Sequence, residues 1–179
     1  MIDFIYKEDD IGIRLLSDFE LSGGYPSWFS DMEVHQYNSH WAIPKTFREI
    51  ENFVSGLSDD KSQVVFAVYS VSNLKHIGNI SLQNIDYLNQ CAEIAFLFGE
   101  REYWGKGYAK KASKIIINHG FQYLNLHRIY LGCLEINIAM KNLSVSLGFF
   151  QEGVRRKSIY SNNEFFDVIE FGMLKDEFS

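Results

Sequence analysis

The stretch "CAEIAFLFGEREYWGKGYAKKASKIIINHGFQYLNLHRIYLGCLE", residues 91–135, constrains the fold more than any other part of the chain. An almost wholly apolar run feeds a turn in which Gly105 and Gly107 flank Lys106. From there Tyr108, Ala112, Ile115, Ile116 and Tyr123 recur at the spacing of one helical face. "HRIYLGCLE" then returns to strand. Two strands joined by a helix-length crossover lie parallel in one sheet. Glycine inside an ordered element costs stability, so two of them at a strand-to-helix turn mark a place that needs bare backbone. The first amides of a helix have no partner within it, and the helix dipole favours an anion beside them. A phosphate cradled by residues 104–109 is the chemical expectation; a tight turn with no ligand is the plainer alternative.

The remaining segments complete an α+β pattern. "IGIRLLS" reads as a first strand, and "DFELSGGYPSWFSDMEVHQY" mixes helix and turn signals around Gly23, Gly24 and Pro26. "PKTFREIENFVSGL" reads as a helix capped by Thr46, with Glu49 three residues on and Gly56 at its end; Phe47, Ile50, Phe53 and Val54 repeat at helical spacing. "SQVVFAVYSV", the turn "SNLKH" and "IGNISLQNID" form an antiparallel hairpin. "NIAMKNLSVSLGF" reads as a helix ending at Gly148, followed by two closing strands, "FQEGVRR" and "FFDVIEFGML". The expected architecture is one domain, residues 1–179, with a mixed, mostly antiparallel sheet of about seven strands flanked by about four helices.

Composition narrows the functional classes. With 179 residues, 46% of them hydrophobic and 22% charged, the chain can bury a full core and does not suggest disorder. The formal net charge of −6, without a visible basic patch, argues against nucleic acid as a partner. Acidic residues gather early, at Glu8, Asp9, Asp10, Asp18, Glu20, Asp31 and Glu33. They form either a solvated face or an attraction for an amine-bearing substrate. Cys91 and Cys133 stand apart in apolar runs and read as free thiols in a reducing compartment. "MIDFIYKEDD" is too short and too acidic for a signal peptide, and no run of eighteen apolar residues exists, so a cytoplasmic protein with no membrane partner is expected. No His/Cys/Asp cluster has metal-ligand spacing.

The glycine turn does not fit the familiar nucleotide loops. A Walker loop needs G-x-x-x-x-G-K-[ST], but Lys106 is followed by Gly107. A dinucleotide fingerprint needs a third glycine where Lys110 stands, and a doubly wound sheet that the hairpin-rich front half contradicts. "WGKGYA", residues 104–109, instead resembles the pyrophosphate signature Q/R-x-x-G-x-G/A of the GNAT superfamily of N-acetyltransferases, matching at Gly107 and Ala109 and departing at Trp104. That departure, with "LNLHRIYL", "NIAMKNLSVSLGF" and "EGVRRKSIYSNNEFFDVIEFGMLKDEF", is similar to the RimJ/RimL-type branch, which includes ribosomal-protein N-terminal and polyamine acetyltransferases.

The resemblance implies a GNAT fold and transfer of acetyl from acetyl-CoA, by direct attack, to a primary amine: a protein N-terminus, a polyamine or an amino sugar. It implies that the amides of Gly105, Lys106, Gly107, Tyr108 and Ala109 hold the pyrophosphate. Backbone around Phe96, Leu97 and Phe98 would pair with the pantetheine arm, which Asn137 would also contact. Lys106 and Lys110 either add charge there or are solvated. The chemistry requires no metal, and a homodimer is possible. Glu93, the one charge in its strand, is either a general base or a structural carboxylate; burial unpaired would cost about 2–7 kcal/mol. Ser144 stands where many relatives place a tyrosine that protonates the leaving thiolate. A serine there orders a water, or a group such as Tyr108 acts, or the thiolate leaves unaided. The same departure admits a rival, a module that holds acyl-CoA without efficient turnover; a plain nucleotide-binding domain is a third. His119 and His127 read as structural, and His35, His40, Trp28, Trp41 and Tyr37 as either an acceptor wall or packing.

Overall fold

A computed structural model describes residues 2–37, 44–161 and 163–178. His40 and Trp41 lie outside the described residues, as does the side chain of His35. Eight strands form one sheet in the order β1-β2-β3-β4-β5-β6-β8-β7. They are β1 Tyr6–Glu8, β2 Ile11–Leu15, β3 Val64–Ser70, β4 Lys75–Asp86, β5 Cys91–Leu97, β6 Arg128–Leu134, β7 Phe150–Ser161 and β8 Glu164–Leu174. Among the described residues the α-helices are α1 Tyr25–Trp28, α2 Met32–His35, α3 Phe47–Gly56, α4 Tyr108–Gln122 and α5 Ile138–Leu147. The strand beyond the expected set is β1, three residues that alternate too briefly to register in sequence and that pair with β2.

Every ladder is antiparallel except β5–β6, the pair joined by the α4 crossover. One face of the sheet carries the main core. Ala92 and Ile94 of β5 and Ile129, Leu131 and Cys133 of β6 pack there with Ala112, Ile116, Ile117 and Phe121 of α4 and Leu147 of α5. The other face carries a smaller cluster in which Trp28, Ile50 and Val54 cover Val65, Ala67 and Tyr69, with Leu97 at its margin. That second cluster draws nothing from β6, β7 or β8.

Local signals place the helices. Thr46 caps α3, its hydroxyl accepting from the Glu49 amide at 3.3 Å while Glu49 accepts from the Thr46 amide at 2.7 Å. Ile50 and Val54 are buried, but Phe47 and Phe53, expected on the same stripe, are exposed. Only the i, i+4 pair points squarely at the sheet. Gly148 ends α5 in a left-handed conformation, φ 95°. Of the early acidic residues, one lies in the interior. Glu20 is 2% exposed and accepts from the Tyr69 hydroxyl at 2.7 Å, with Arg14 beside it at 3.7 Å. Asp9 and Asp10 pair with Lys111, and Asp31 and Glu33 with Arg101.

Candidate active site

The site begins where β5 ends. Its ladder with β4 runs to Leu97, but its ladder with β6 stops after Cys91↔Arg128, Ala92↔Ile129 and Glu93↔Tyr130. Beyond that rung β6 goes on pairing with β8 as far as Leu134↔Val168. The two parallel strands therefore part, and the β6-facing edge of residues 94–97 has no ladder. A strand edge without a partner is a row of free amides and carbonyls.

Two glycines let aromatic rings close over the end of this strand. A Cβ on Gly78 would lie 2.6 Å from the Phe98 ring, and one on Gly99 would lie 2.0 Å from the Trp28 ring. The Trp28 indole donates to Glu100 at 3.1 Å, and Glu100 pairs with Lys75 at 2.7 Å. Phe96 packs against the main core and Leu97 against the second cluster.

The chain then turns into α4. Trp104, 40% exposed, donates its indole N–H to the Phe98 carbonyl at 2.9 Å and ties the turn to the strand. Gly105 and Gly107 have φ of 71° and 86°, left-handed values that side chains seldom adopt. A Cβ at either would meet nothing within 4 Å, so neither glycine is needed to spare the protein's own atoms. Gly107 is the N-cap of α4 and offers no side-chain cap, which leaves the first amides of the helix unmet. The concavity can hold an anion on backbone N–H groups. Lys106 and Lys110 are exposed, with the Lys106 ammonium 5.6 Å from the centre of the Tyr103 ring. Ala109 is partly buried, and its carbonyl accepts from Ser113 at 2.6 Å.

Tyr108 is buried, its hydroxyl 3.4 Å from Ser70 and hydrogen-bonded to Asp10. That bond to Asp10, ahead of burial, holds the phenol above its ordinary range. A phenol bound this way faces the β1–β2 turn, away from the gap between β5 and β6.

Asn137, across the gap, caps α5 by accepting from the Met140 amide at 3.1 Å. Ser144 is 0% exposed and donates to the Met140 carbonyl of its own helix at 2.9 Å. As placed, the hydroxyl considered for ordering a water or protonating a thiolate is sealed inside α5.

Glu93 lies on the second face, sharing its parity with Leu97 and opposite to Ala92 and Ile94. It is only partly buried and belongs to neither apolar cluster. An unpaired burial of this charge is thereby avoided: one face of the apolar run packs, and Glu93 stands on the other. Its hydrogen-bond partner is Asn84, at 2.9 Å. Asn84 sits at φ 52° where the β4–β5 register shifts, and that bulge re-aims its side chain.

Sequence reasoning did not single out Tyr130. It is the residue opposite Glu93 in the last rung before the strands part, on the same face. Only the parallel register brings the two together, across 37 positions of chain.

Of the remaining candidates, His119 is structural: its ring bonds the Tyr6 hydroxyl at 2.7 Å and stacks on Tyr123, which lies exposed past the helix end. His127 is exposed, with its backbone N–H on the Gln90 carbonyl. Trp28 is core, and Tyr37 is exposed. Among the described residues no group of three or more His, Cys, Asp or Glu side chains is placed to hold a metal.

Known proteins share this arrangement. The chain is 30% identical over 154 residues to the uncharacterized N-acetyltransferase p20 of Bacillus licheniformis, covering 85% of this chain and 86% of that one. It is 28% identical over 135 residues to a spermidine N(1)-acetyltransferase of Vibrio cholerae, covering 75% and 76%. The crystal structure of the Vibrio cholerae spermidine N-acetyltransferase in complex with CoA and spermine superposes with a TM-score of 0.86 at 24% identity, over 94% of this chain and 97% of that one, a likeness of fold. The family model described as "Acetyltransferase (GNAT) domain" matches residues 11–150. A match of that extent, on a sheet that parts beside a left-handed glycine turn, shows that the chain belongs to the GNAT acetyltransferases, enzymes that use acetyl-CoA to acetylate amines.

Proposed function

We propose that the whole chain, residues 1–179, acts as one cytoplasmic domain that transfers acetyl from acetyl-CoA to a primary amine of a small polycation by direct attack. The amides of Gly105, Lys106, Gly107, Tyr108 and Ala109 hold the pyrophosphate, with Lys106 and Lys110 adding charge. The pantetheine arm runs back along the open edge of β5, past Phe96, Leu97 and Phe98, with Asn137 on its far side. The observation that carries this reading is the end of the β5–β6 ladder at Glu93↔Tyr130, which leaves that edge free in line with the glycine turn.

The chemistry follows from the charges that develop. The amine must be neutral to attack, so a proton leaves it. Glu93, held by a neutral amide rather than by a cation, is a carboxylate free to accept that proton, directly or through a water. The tetrahedral oxyanion needs donors, and amides on the open edge of β5 supply them. A polycationic acceptor is supported by the net charge of −6 and by the spermidine acetyltransferase among the relatives. The early acidic residues contribute little to it, since Asp9, Asp10, Asp31 and Glu33 are already paired with lysine or arginine. Self-association as a dimer is part of the same reading, supported by the exposed Phe150 and Val154 on the outermost strand, β7.

Calorimetric titration with acetyl-CoA, beside ATP and NAD, tests the cofactor site. Thiol release with spermidine, peptides with free N-termini and amino sugars then tests the acceptor. Binding of acetyl-CoA alone, with release fastest for spermidine, is expected. Release with peptides instead would move the acceptor to protein N-termini, and binding without release by any amine would favour a domain that holds acyl-CoA without turning it over.

A further inference from the structure

The leaving thiolate needs a proton, and the position on α5 considered for that role holds a serine that is buried and bonded to its own helix. Tyr108 is bound at the β1–β2 turn. Among the described residues, a phenol stands in the last rung before β5 and β6 part. Tyr130 stands opposite Glu93 in the final parallel rung. Neighbouring strands lie about 4.8 Å apart, so the two side chains leave adjacent positions on one face. The apolar cluster on that face draws nothing from β6, and both side chains are only partly buried. The Tyr130 ring rests against the Arg128 guanidinium at 5.8 Å, while its hydroxyl makes no hydrogen bond to any described residue. It is half-buried and uncommitted.

We propose that Tyr130 gives a hydrogen bond, and then the proton, to the sulfur of the departing CoA. This rests on the placement of acetyl-CoA proposed above: a pyrophosphate fixed at the glycine turn sends the arm along residues 94–97 towards the fork, where Glu93 and Tyr130 stand. The step balances as follows. The acceptor enters the step as the neutral amine, its ammonium proton already passed on through Glu93 to water; its nitrogen forms a bond to the thioester carbonyl carbon, and one further proton of that nitrogen passes to the Glu93 carboxylate. The C–S bond breaks with its electron pair on sulfur, and the Tyr130 O–H protonates that sulfur. The phenolate recovers a proton from Glu93 across the rung. The products are the amide and CoA thiol, and both side chains end as they began. The charged and titratable groups around the phenol are Glu93 and Cys91 on β5, Arg128 on β6, Glu170 on β8, and Glu152 of β7 through its pair with Arg128. Burial and the carboxylate of Glu93 keep the phenol above its usual range, so it remains protonated and able to donate.

The test needs no acceptor. CoA and desulfo-CoA are titrated calorimetrically into the parent and into Tyr130→Phe at pH 9, where much of a thiol with a pKa of about 8.5 is thiolate. The variant keeps the ring and its contact with Arg128, and a thermal melt confirms its fold. Tyr130→Phe should bind CoA about tenfold more weakly and desulfo-CoA within about twofold of the parent. Equal CoA affinity overturns the proposal, and so does equal weakening for both ligands, which would mark a packing role. A parent that binds neither ligand overturns the placement of acetyl-CoA and this inference with it. With an amine in hand, Tyr130→Phe should lower kcat without raising KM for acetyl-CoA, and adding Glu93→Gln should cost less than the product of the single effects. An impaired Glu93→Gln beside an unimpaired Tyr130→Phe sinks the donor alone. The reverse sinks the base alone.

Discussion

Gly107→Ala separates backbone strain from ligand contact. Gly107 has φ 86°, and a Cβ there meets no protein atom within 4 Å. The substitution therefore carries two independent costs. The left-handed conformation disfavours an L side chain by about 1–2 kcal/mol. For a chain of this size each kcal/mol lowers Tm by about 2–4 °C, so a fall of roughly 2–8 °C is expected. The added methyl also occupies the open space above the unmet amides of α4. Losing one charge-assisted hydrogen bond to a phosphate, at about 1.5–3 kcal/mol, weakens acetyl-CoA binding about 10- to 100-fold. Gly148→Ala is the matched control. It carries the same strain at φ 95°, and its Cβ would touch only the end of Met173, at 3.6 Å. Its melting point should fall by a similar amount while its acetyl-CoA affinity stays unchanged. Calorimetry and a thermal melt on the three proteins decide the matter. If Gly107→Ala binds acetyl-CoA as the parent does, or if Gly148→Ala weakens binding equally, the reasoning about the cradle is wrong.

Glu93→Gln should lower kcat about 100-fold or more while leaving the Kd for acetyl-CoA unchanged, as general-base removal does; a near-normal kcat would return Glu93 to a structural role held by Asn84. Asn137→Ala removes the α5 cap and should cost about 1 kcal/mol, whereas Asn137→Asp keeps the cap and loses the amide donor. If the side chain also holds the pantetheine arm, the aspartate variant melts normally yet binds acetyl-CoA more weakly, and normal binding would leave it a cap alone. Gly99→Ala should destabilise by about 1–3 kcal/mol or more, because its Cβ would stand 2.0 Å from the Trp28 ring, and an unchanged melt would contradict that packing. His76 is stacked on Tyr69 and packed against Trp28, and burial lowers its pKa from 6.5. The folded state thus binds fewer protons than the unfolded one between the lowered value and 6.5, so stability is present above 6.5 and is lost as pH falls below it. Melts from pH 8 to pH 5 should show this decline, weakened in His76→Phe; a flat profile for the parent would refute it.

The parts of this fold legible in the sequence are those set by neighbours in the chain. Thr46 and Glu49 write the start of α3 within four residues, Gly148 ends α5, and the strand–glycine turn–helix–strand unit fixes the parallel pair. The rest depends on partners far away. Glu20 sits in a polar run and gives no sign of burial; Tyr69 and Arg14, brought by β3 and β2, make its interior place tolerable. The almost wholly apolar run of β5 does not say which face carries the core; Ala92 and Ile94 pack against α4, and Glu93 stands on the other face. The Ser144 hydroxyl satisfies a local carbonyl, a choice that residue spacing does not reveal. The meeting of Glu93 with Tyr130 exists only once the parallel register is set.

The early end of the β5–β6 ladder has a mechanical consequence. Three paired positions join the ribbon β1–β5 to the ribbon β6–β8–β7, so the seam between them is where the sheet opens most readily. A ligand lying along residues 94–97 acts as a guest strand that stitches the ribbons together. Its binding energy becomes cohesion of the sheet by mass action, about 2.7 kcal/mol at a hundredfold excess over Kd. Those amides of residues 94–97 that face β6 rather than β4 should then exchange with solvent quickly in the free enzyme and slowly in the complex, so that the cofactor supplies, for the length of one turnover, the piece of β-structure that the polypeptide leaves out.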